Sequence, residues 1–511
     1  MQLHQISHKK TGHFSQIIID YLEGKKELKD FYKYDFSVEE IQKVINDKKK
    51  QNIDRESLVK VLQDQNEAFL DEYEELKLNI RALENDNCFT ITTGHQLCIF
   101  GGPLYFITKI ISVLSSCKML NQKYSDYHFV PIFWMASEDH GRGEVSNVNL
   151  FGKQYSWEFD SKLPTGSLSA NLVADIWNNL KEVLGDSDNA RALIEIFQKA
   201  YEGTNSFADA TRYYLTKLFG DKGLVILDGD HIALKEKFYP IGKEEFENKI
   251  GRDYVNTTSE KFKQLGYTPQ VVPREINLFR IDADGRHPLT GNQKDFKSAE
   301  LSPNVIYRPI YQELILPNLA YIGGPGEIAY WLQLKSLFDF HQVNFPMLML
   351  RDNALLIPKS VSKKMQKLAI SIDDLFTPYQ ELEKRLIREL SNTEIELTKE
   401  LANVDIIFNS LKDKAELIDK SLVQSIDAER KKQIKVLEGI EKRLHKSEKR
   451  KQEESLKQLN FIFEKLFPNG SLQERYDNFM IYYLQYGHEF FEMLEKSFNV
   501  FNKQFVIIDE V

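Results

Sequence analysis

Cysteine is scarce in this chain: Cys88, Cys98 and Cys117 are the only three in 511 residues. They form no CxxC pair and no zinc-ligand spacing, so neither a disulfide framework nor a structural metal site is expected. A reduced, cytoplasmic setting follows, with Cys98 read as a buried, inert thiol. Long apolar runs are also missing. FPMLML at 345–350 suits a buried strand and falls far short of the roughly 20 residues of a membrane span. The opening MQLHQISHKKTGHF has no apolar signal core. A basic excess is absent too, since 67 Lys and Arg face 76 Asp and Glu for a net charge of −9. Phosphate backbones select for basic surfaces, so the chain is not expected to bind nucleic acid.

What is present is a globular composition, 42% hydrophobic and 12% aromatic, in a chain longer than one compact core usually uses. Helices are expected over 14–85, with Ser37 capping VEEIQKVINDKKKQ and Glu40 completing a capping box. CFTITTG (88–94) reads as a buried strand, PLYFITKIISVLSSCKML (103–120) as a helix and YHFVPIFWMAS (127–137) as a second strand. Strand, helix, strand at this spacing predicts a parallel sheet. GLVILDGD (223–230) and NFPMLMLRD (344–352) add strands, and residues 150–220 and NLFRIDADGRHPL (277–289) read as insertions. Proline and glycine then almost vanish: from Tyr379 to Phe467 only Gly439 interrupts a Glu- and Lys-rich stretch. Val404, Phe408, Leu411, Ala415, Ile418 and Leu422 alternate four and three apart, continued by Leu437, Ile440 and Leu444, which predicts a coiled-coil seam. The fold class is therefore α/β with a helical arm: a core with insertions over 1–372, the arm over 373–466, and a C-terminal helical segment over 467–511 returning to the core.

Two glycine-opened helix starts draw attention. ITTGHQLCIFGGPLYFITK (91–109) and YIGGPGEIAYW (321–331) each run from an apolar strand through Gly-Gly-Pro into a helix. Ligands of parallel sheets bind beyond the carboxyl ends of the strands, and free helix-start amides attract anions. A pocket for anions is expected here, built from Thr93, Gly94, His95, Gln96, Gly101, Gly102, Pro103, Tyr105 and Lys109 on the first segment. Gly324, Gly326, Glu327, Tyr330 and Gln333 supply the second, with Trp134 as a wall and Arg308 as a carboxylate fork. The strand ending in Glu138-Asp139-His140 is the candidate acid–base cluster. His140 is the expected base, oriented by Asp139, and Glu138 or Asp139 is a possible Mg²⁺ ligand. Asn469, Gly470, Ser471 and Arg475, in FPNGSLQER, mark a possible second nucleotide site.

Six ordered stretches, TTGHQLCIFGGPLYFITK, VPIFWMASEDH, LFGDKGLVILD, LPNLAYIGGPGEIAYWLQL, EKRLHKSEKRKQEE and FPNGSLQER, resemble the cysteine-adding ligase family of bacillithiol biosynthesis. The likeness runs from about residue 88 to 475. His95 departs from it, since many relatives carry glutamine there, which weighs against an essential acid–base role for that side chain. The resemblance implies a Rossmann-like core akin to class I aminoacyl-tRNA synthetases and nucleotidyltransferases, and a coiled-coil arm that makes a homodimer. It also implies an amide-forming ligation of L-cysteine to glucosaminyl-malate, the last step of the pathway. ATP is the expected activator of the carboxylate, which would make an adenine nucleotide a partner. The alternative is a non-enzymatic scaffold, a coiled-coil protein whose α/β part only binds a metabolite.

Overall fold

The structure, a computed structural model, describes residues 1–139, 141, 146–156, 161–291, 296–391 and 396–510. The chain divides into two compact units, one of residues 3–355 with 471–508, the other of residues 1–2, 356–470 and 509–511. The C-terminal segment 471–508 thus belongs to the larger unit. The division falls at 355/356 and 470/471, not at 372 and 466, because the helix Lys359–Lys367 packs on the arm helix Glu453–Leu466.

The larger unit is organised by five parallel strands: β1 (Cys88–Gln96), β2 (His128–Ala136), β3 (Val225–Asp228), β4 (Asn318–Gly323) and β5 (Met347–Leu350). They lie in the order β5-β4-β1-β2-β3. Burial on both faces explains why these segments read as near-continuous apolar runs. The first crossover is helix α1 (Leu104–Lys123), apolar almost all round because it packs against both β1 and β2. Pairing puts Gly94 beside Trp134 and Ala320 beside both Ile91 and Met347. From β1 the chain winds outwards one way through β2 and β3, then returns to β1's other side with β4 and β5. The reversal leaves a crevice between the carboxyl ends of β1 and β4.

Three elaborations surround that crevice. Helices over residues 16–82 cover one side, Ile41–Lys48 against β4 and Arg55–Asn66 against β3. Ser37 makes no side-chain cap, because a 3₁₀ turn, Val38–Glu40, intervenes before the helix begins at Ile41. Between β3 and β4 the chain forms an antiparallel sheet of Leu278–Asp282, Gly285–Pro288 and Leu301–Pro303. Helix α2 (Arg308–Ile315) then leads into β4, and α3 (Pro325–Trp331) follows it.

In the smaller unit, α4 (Thr398–Ile418) and α5 (Leu422–Lys451) pair with each other within the chain. Arg430 bonds Asp405 at 2.6 Å and Lys412 meets Asp427 across the pair. The single seam expected from Val404 to Leu422 is therefore cut. The Asp419 N–H closes α4 on Ala415 at 2.7 Å, and Leu422 opens the returning helix. Leu411, Ile418, Leu422 and Leu444 of that pattern remain exposed.

Candidate functional site

The carboxyl ends of β1 and β4 open on a cleft of about 760 Å³. Its floor is an ionic knot of a buried Lys109 and a half-buried Glu327. Lys109 projects from α1 to the Gly94 carbonyl and to Glu327 on α3, at 2.7 Å from the latter. Glu327 also accepts the Tyr321 hydroxyl at 2.6 Å and the Gly324 N–H at 2.7 Å. Burial alone would raise the Glu327 carboxyl, but the charge and hydrogen bond of Lys109, with the Tyr321 and Gly324 donors, outweigh it and hold the pKa at about 2. Glycine at residue 94 lets β1 and β2 approach closely. A Cβ there would sit 3.3 Å from both the Cβ and the carbonyl oxygen of Trp134.

Arginines line the walls. Arg351, just past β5, is 2% exposed and is gripped by Glu474 through two hydrogen bonds of 2.7 and 2.8 Å. Arg286, on the antiparallel sheet, bonds Ser302 and the Pro303 carbonyl, lies 3.5 Å from Asp139 and stacks over Phe279. Arg308 opens α2, bonding the Gln312 amide oxygen at 2.9 Å and Tyr330 at 3.3 Å, over the Tyr321 ring. Arg274 and Arg475 complete the set. Among the described residues, Arg274, Arg308 and Arg475 have no carboxylate within 4.0 Å. Three guanidinium charges thus face the cleft without a counter-ion, and guanidinium stays protonated at any physiological pH.

At the end of β2 two acids diverge. Asp139 is about one-third exposed and accepts from Gln96 and Arg286. Glu138 is paired at 2.7 Å with Lys235, which Asp230 holds from the other side. Burial pushes the Glu138 carboxyl up, against the pull of Lys235. Lys235 thus stands between Glu138 and Asp230, paired with both. Among the described residues no cluster of His, Cys, Asp or Glu has the form of a metal site. His140 lies outside the described residues. Burial and the nearby Lys109 lower the His95 pKa to about 4, so the ring is neutral at pH 7. Its Nδ1 lies 2.9 Å from the Gln96 carbonyl, which can only accept. That fixes the proton on Nδ1 and leaves Nε2 an acceptor.

Of the expected site residues, the structure brings Gly94, His95, Gln96, Tyr105, Lys109 and Trp134 to the cleft from the first half of the chain. Glu138, Asp139, Arg308, Gly324, Gly326, Glu327 and Tyr330 line it as well. Arg475 joins them, whereas Asn469 and Gly470 form a left-handed turn in the smaller unit, at φ of 53° and 72°. Ser471 follows that turn and is absent from the lining. Thr93 and Gln333 stand behind the wall. Thr93 bonds the Ile322 carbonyl at 2.7 Å, and Gln333 holds the backbone N–H groups of Gln270 and Val271 with its amide oxygen.

Gly101, Gly102 and Pro103 stand apart from the cleft and correct the first helix start. The Leu104 N–H donates to the Asp477 carbonyl at 2.6 Å, and Asn478 bonds the carbonyls of Phe100 and Gly102. The C-terminal segment therefore caps this start, and its two glycines serve the left-handed backbone at φ of 76° and 55°. Sequence reasoning missed Arg274, Arg286 and Arg351 as lining residues. Arg351 carried a readable signal: a charge immediately after the apolar β5, where parallel strands deliver their ligand contacts.

Comparison with known proteins agrees with this architecture. A family described as "Bacillithiol biosynthesis BshC, N-terminal Rossmann-like domain" matches residues 1–300 and 294–352, and its C-terminal coiled-coil domain matches 354–510. The chain belongs to the BshC family of bacillithiol biosynthesis. Relatives named "Putative cysteine ligase BshC" include one from Flavobacterium psychrophilum, 43% identical over 98% of each chain. One from Flavobacterium johnsoniae is 40% identical over 98% of this chain and 99% of its own. A more distant one, from Bacillus cereus, is 26% identical over 99% of this chain and 100% of its own.

The Glu327 knot gives a pH signature. A carboxyl held at about 2 against an ordinary 4.5 stabilises the fold fully above pH 4.5, and that stabilisation fades as the pH falls towards 2. Glu327→Gln is therefore less stable than the parent at pH 7 in denaturant unfolding, and the gap closes across that acidic window. A gap independent of pH would show that Glu327 carries no native charge.

Proposed function

We propose that this protein is the cysteine ligase of the pathway: it joins the carboxyl of L-cysteine to the amine of glucosaminyl-malate as an amide, after activation of that carboxyl by ATP. The observation that carries this reading is the cleft at the strand reversal, where Arg274, Arg308 and Arg475 present charge without a carboxylate partner. Every reactant in the scheme is anionic at the end it would offer: nucleotide phosphates, the two malate carboxylates and the cysteine carboxylate. Guanidinium forks match carboxylate and phosphate geometry. The relatives' name, "Putative cysteine ligase BshC", supports the cysteine-joining part of this reading.

In this scheme the cysteine carboxylate displaces a phosphate-bearing leaving group of ATP and becomes an acyl adenylate or acyl phosphate. The sugar amine attacks its carbonyl carbon, the C–N bond forms, the bond to the phosphate oxygen breaks, and the amine proton passes to a base. His140 is that base in the scheme, with Asp139 beside it in sequence orienting it. Asp139 sits in the cleft, accepting hydrogen bonds from Gln96 and Arg286. Glu138 is engaged by Lys235, so any Mg²⁺ enters with the nucleotide phosphates rather than in a carboxylate cage. Trp134 and Tyr330 wall the cleft and limit water that would hydrolyse the activated acyl group. The arm serves as a homodimer contact in this reading, supported by the exposure of Leu417 and Ile418 at 89% and 81%.

Two measurements test these statements. Purified protein given cysteine, glucosaminyl-malate and ATP yields the thiol amide by mass spectrometry, and Asp139→Asn slows its formation by roughly 100-fold. No product contradicts the ligase and leaves the metabolite-binding scaffold, whereas equal rates for the two proteins remove Asp139 from the mechanism. Sedimentation at micromolar concentration gives a dimer that Leu417→Lys with Ile418→Lys converts to a monomer; a monomeric parent removes the arm contact.

A further inference from the structure

Arg308 raises a physical problem that the ligase reading leaves unexplained. A long, flexible cation stands in the cleft wall with no carboxylate to hold it, yet an anion subsite needs its fork fixed in advance. The hydrogen bonds behind it supply the restraint. Arg308 donates from its Nη1 to the Gln312 amide oxygen at 2.9 Å, one helical turn along α2. Gln312 is fully buried, and its Nε2 donates at 2.9 Å to Oε1 of Glu313. That carboxylate is also fully buried, and Oε1 accepts Asn318 Nδ2 at 2.7 Å as well. Lys48, on the helix Ile41–Lys48, completes the chain. Its ammonium, 2% exposed, reaches the Glu313 carbonyl at 3.0 Å and the carboxylate at 3.5 Å.

The order of groups matters more than their number. An amide between a cation and a carboxylate can face only one way: Nε2 must donate to Glu313, so the oxygen must face Arg308. Glu313 thereby sets the amide and the amide sets the guanidinium. The Glu313 carboxylate is meanwhile faced by the Lys48 ammonium and accepts the Asn318 amide. A neutral side chain thus passes orientation to Arg308 without passing on a counter-charge. A glutamate at 312 would lose the donor to Glu313, set a second carboxylate against it and cancel the Arg308 charge. We propose that Gln312 is a positioning residue for substrate-anion binding: backed by Glu313 and Lys48, it holds the Arg308 fork in place while leaving its charge open to the ligand. This rests on the anion-binding role given to Arg308 above.

The test is a double-mutant cycle on the full-length protein, with L-malate as the probe anion and binding followed by calorimetry. Arg308→Ala weakens malate binding by roughly 10- to 100-fold. Gln312→Leu weakens it by roughly tenfold, having lost the orienting acceptor. Gln312→Glu, nearly isosteric, weakens it as well, because its carboxylate neutralises the fork and has no donor for Glu313. Neither Gln312 change has any further effect in the Arg308→Ala background, and thermal melts of each variant report folding separately. If Arg308→Ala weakens binding but Gln312→Leu and Gln312→Glu do not, or cost the same with and without Arg308, the positioning role is refuted and the anion site stands. If Arg308→Ala binds malate as tightly as the parent, the anion-binding reading and the positioning role both fall.

Discussion

A cation in a protein wall without a counter-ion is a liability, and the larger unit tolerates one in the half-buried Arg308, while Arg274 and Arg475 carry their charge at the exposed rim of the cleft. Desolvating a charge without a partner is costly, so most partly buried arginines are matched by carboxylates. Here the matching is selective. Glu474 grips Arg351, Asp139 stands near Arg286 and Glu327 takes Lys109, while Arg274, Arg308 and Arg475 are left open. The paired cations tie strands and helices together, and the open ones leave positive charge in the cleft.

The location follows from topology. In a sheet ordered β5-β4-β1-β2-β3, the two chain directions part between β1 and β4, and backbone from both halves ends at the same opening. Lys109, on the crossover after β1, can therefore reach Glu327, on the helix after β4. One ion pair spans the reversal and sets the depth of the cleft. The antiparallel insertion adds Arg286 from a third direction, and the C-terminal segment adds Glu474 and Arg475 from a fourth.

Much of this was legible in the chain itself. Buried parallel strands announce themselves as apolar runs, so CFTITTG, HFVPIFWMA and FPMLML pointed to the sheet, and the glycines at 94 and 324 pointed to its open end. Local pattern could not say which of two similar helix starts faces ligand. Both carry Gly-Gly-Pro, but the first is capped by Asp477 and Asn478, more than 370 residues away in sequence. The arginines were hidden for the same reason: Arg274 and Arg286 sit in an insertion whose return to the cleft depends on tertiary packing. The heptad pattern showed helix pairing without showing which helix is the partner, and the break at Asp419 decides that α4 meets α5.

The central claim is that unmatched arginine charge at the strand reversal gathers anionic reactants. Its most direct test is a crystal of the protein soaked in selenate and measured at the selenium absorption edge. The account predicts an anomalous peak inside the cleft, within hydrogen-bond distance of the Arg308 side chain. Selenate confined to the outer surface, with the cleft empty of it, would contradict the account.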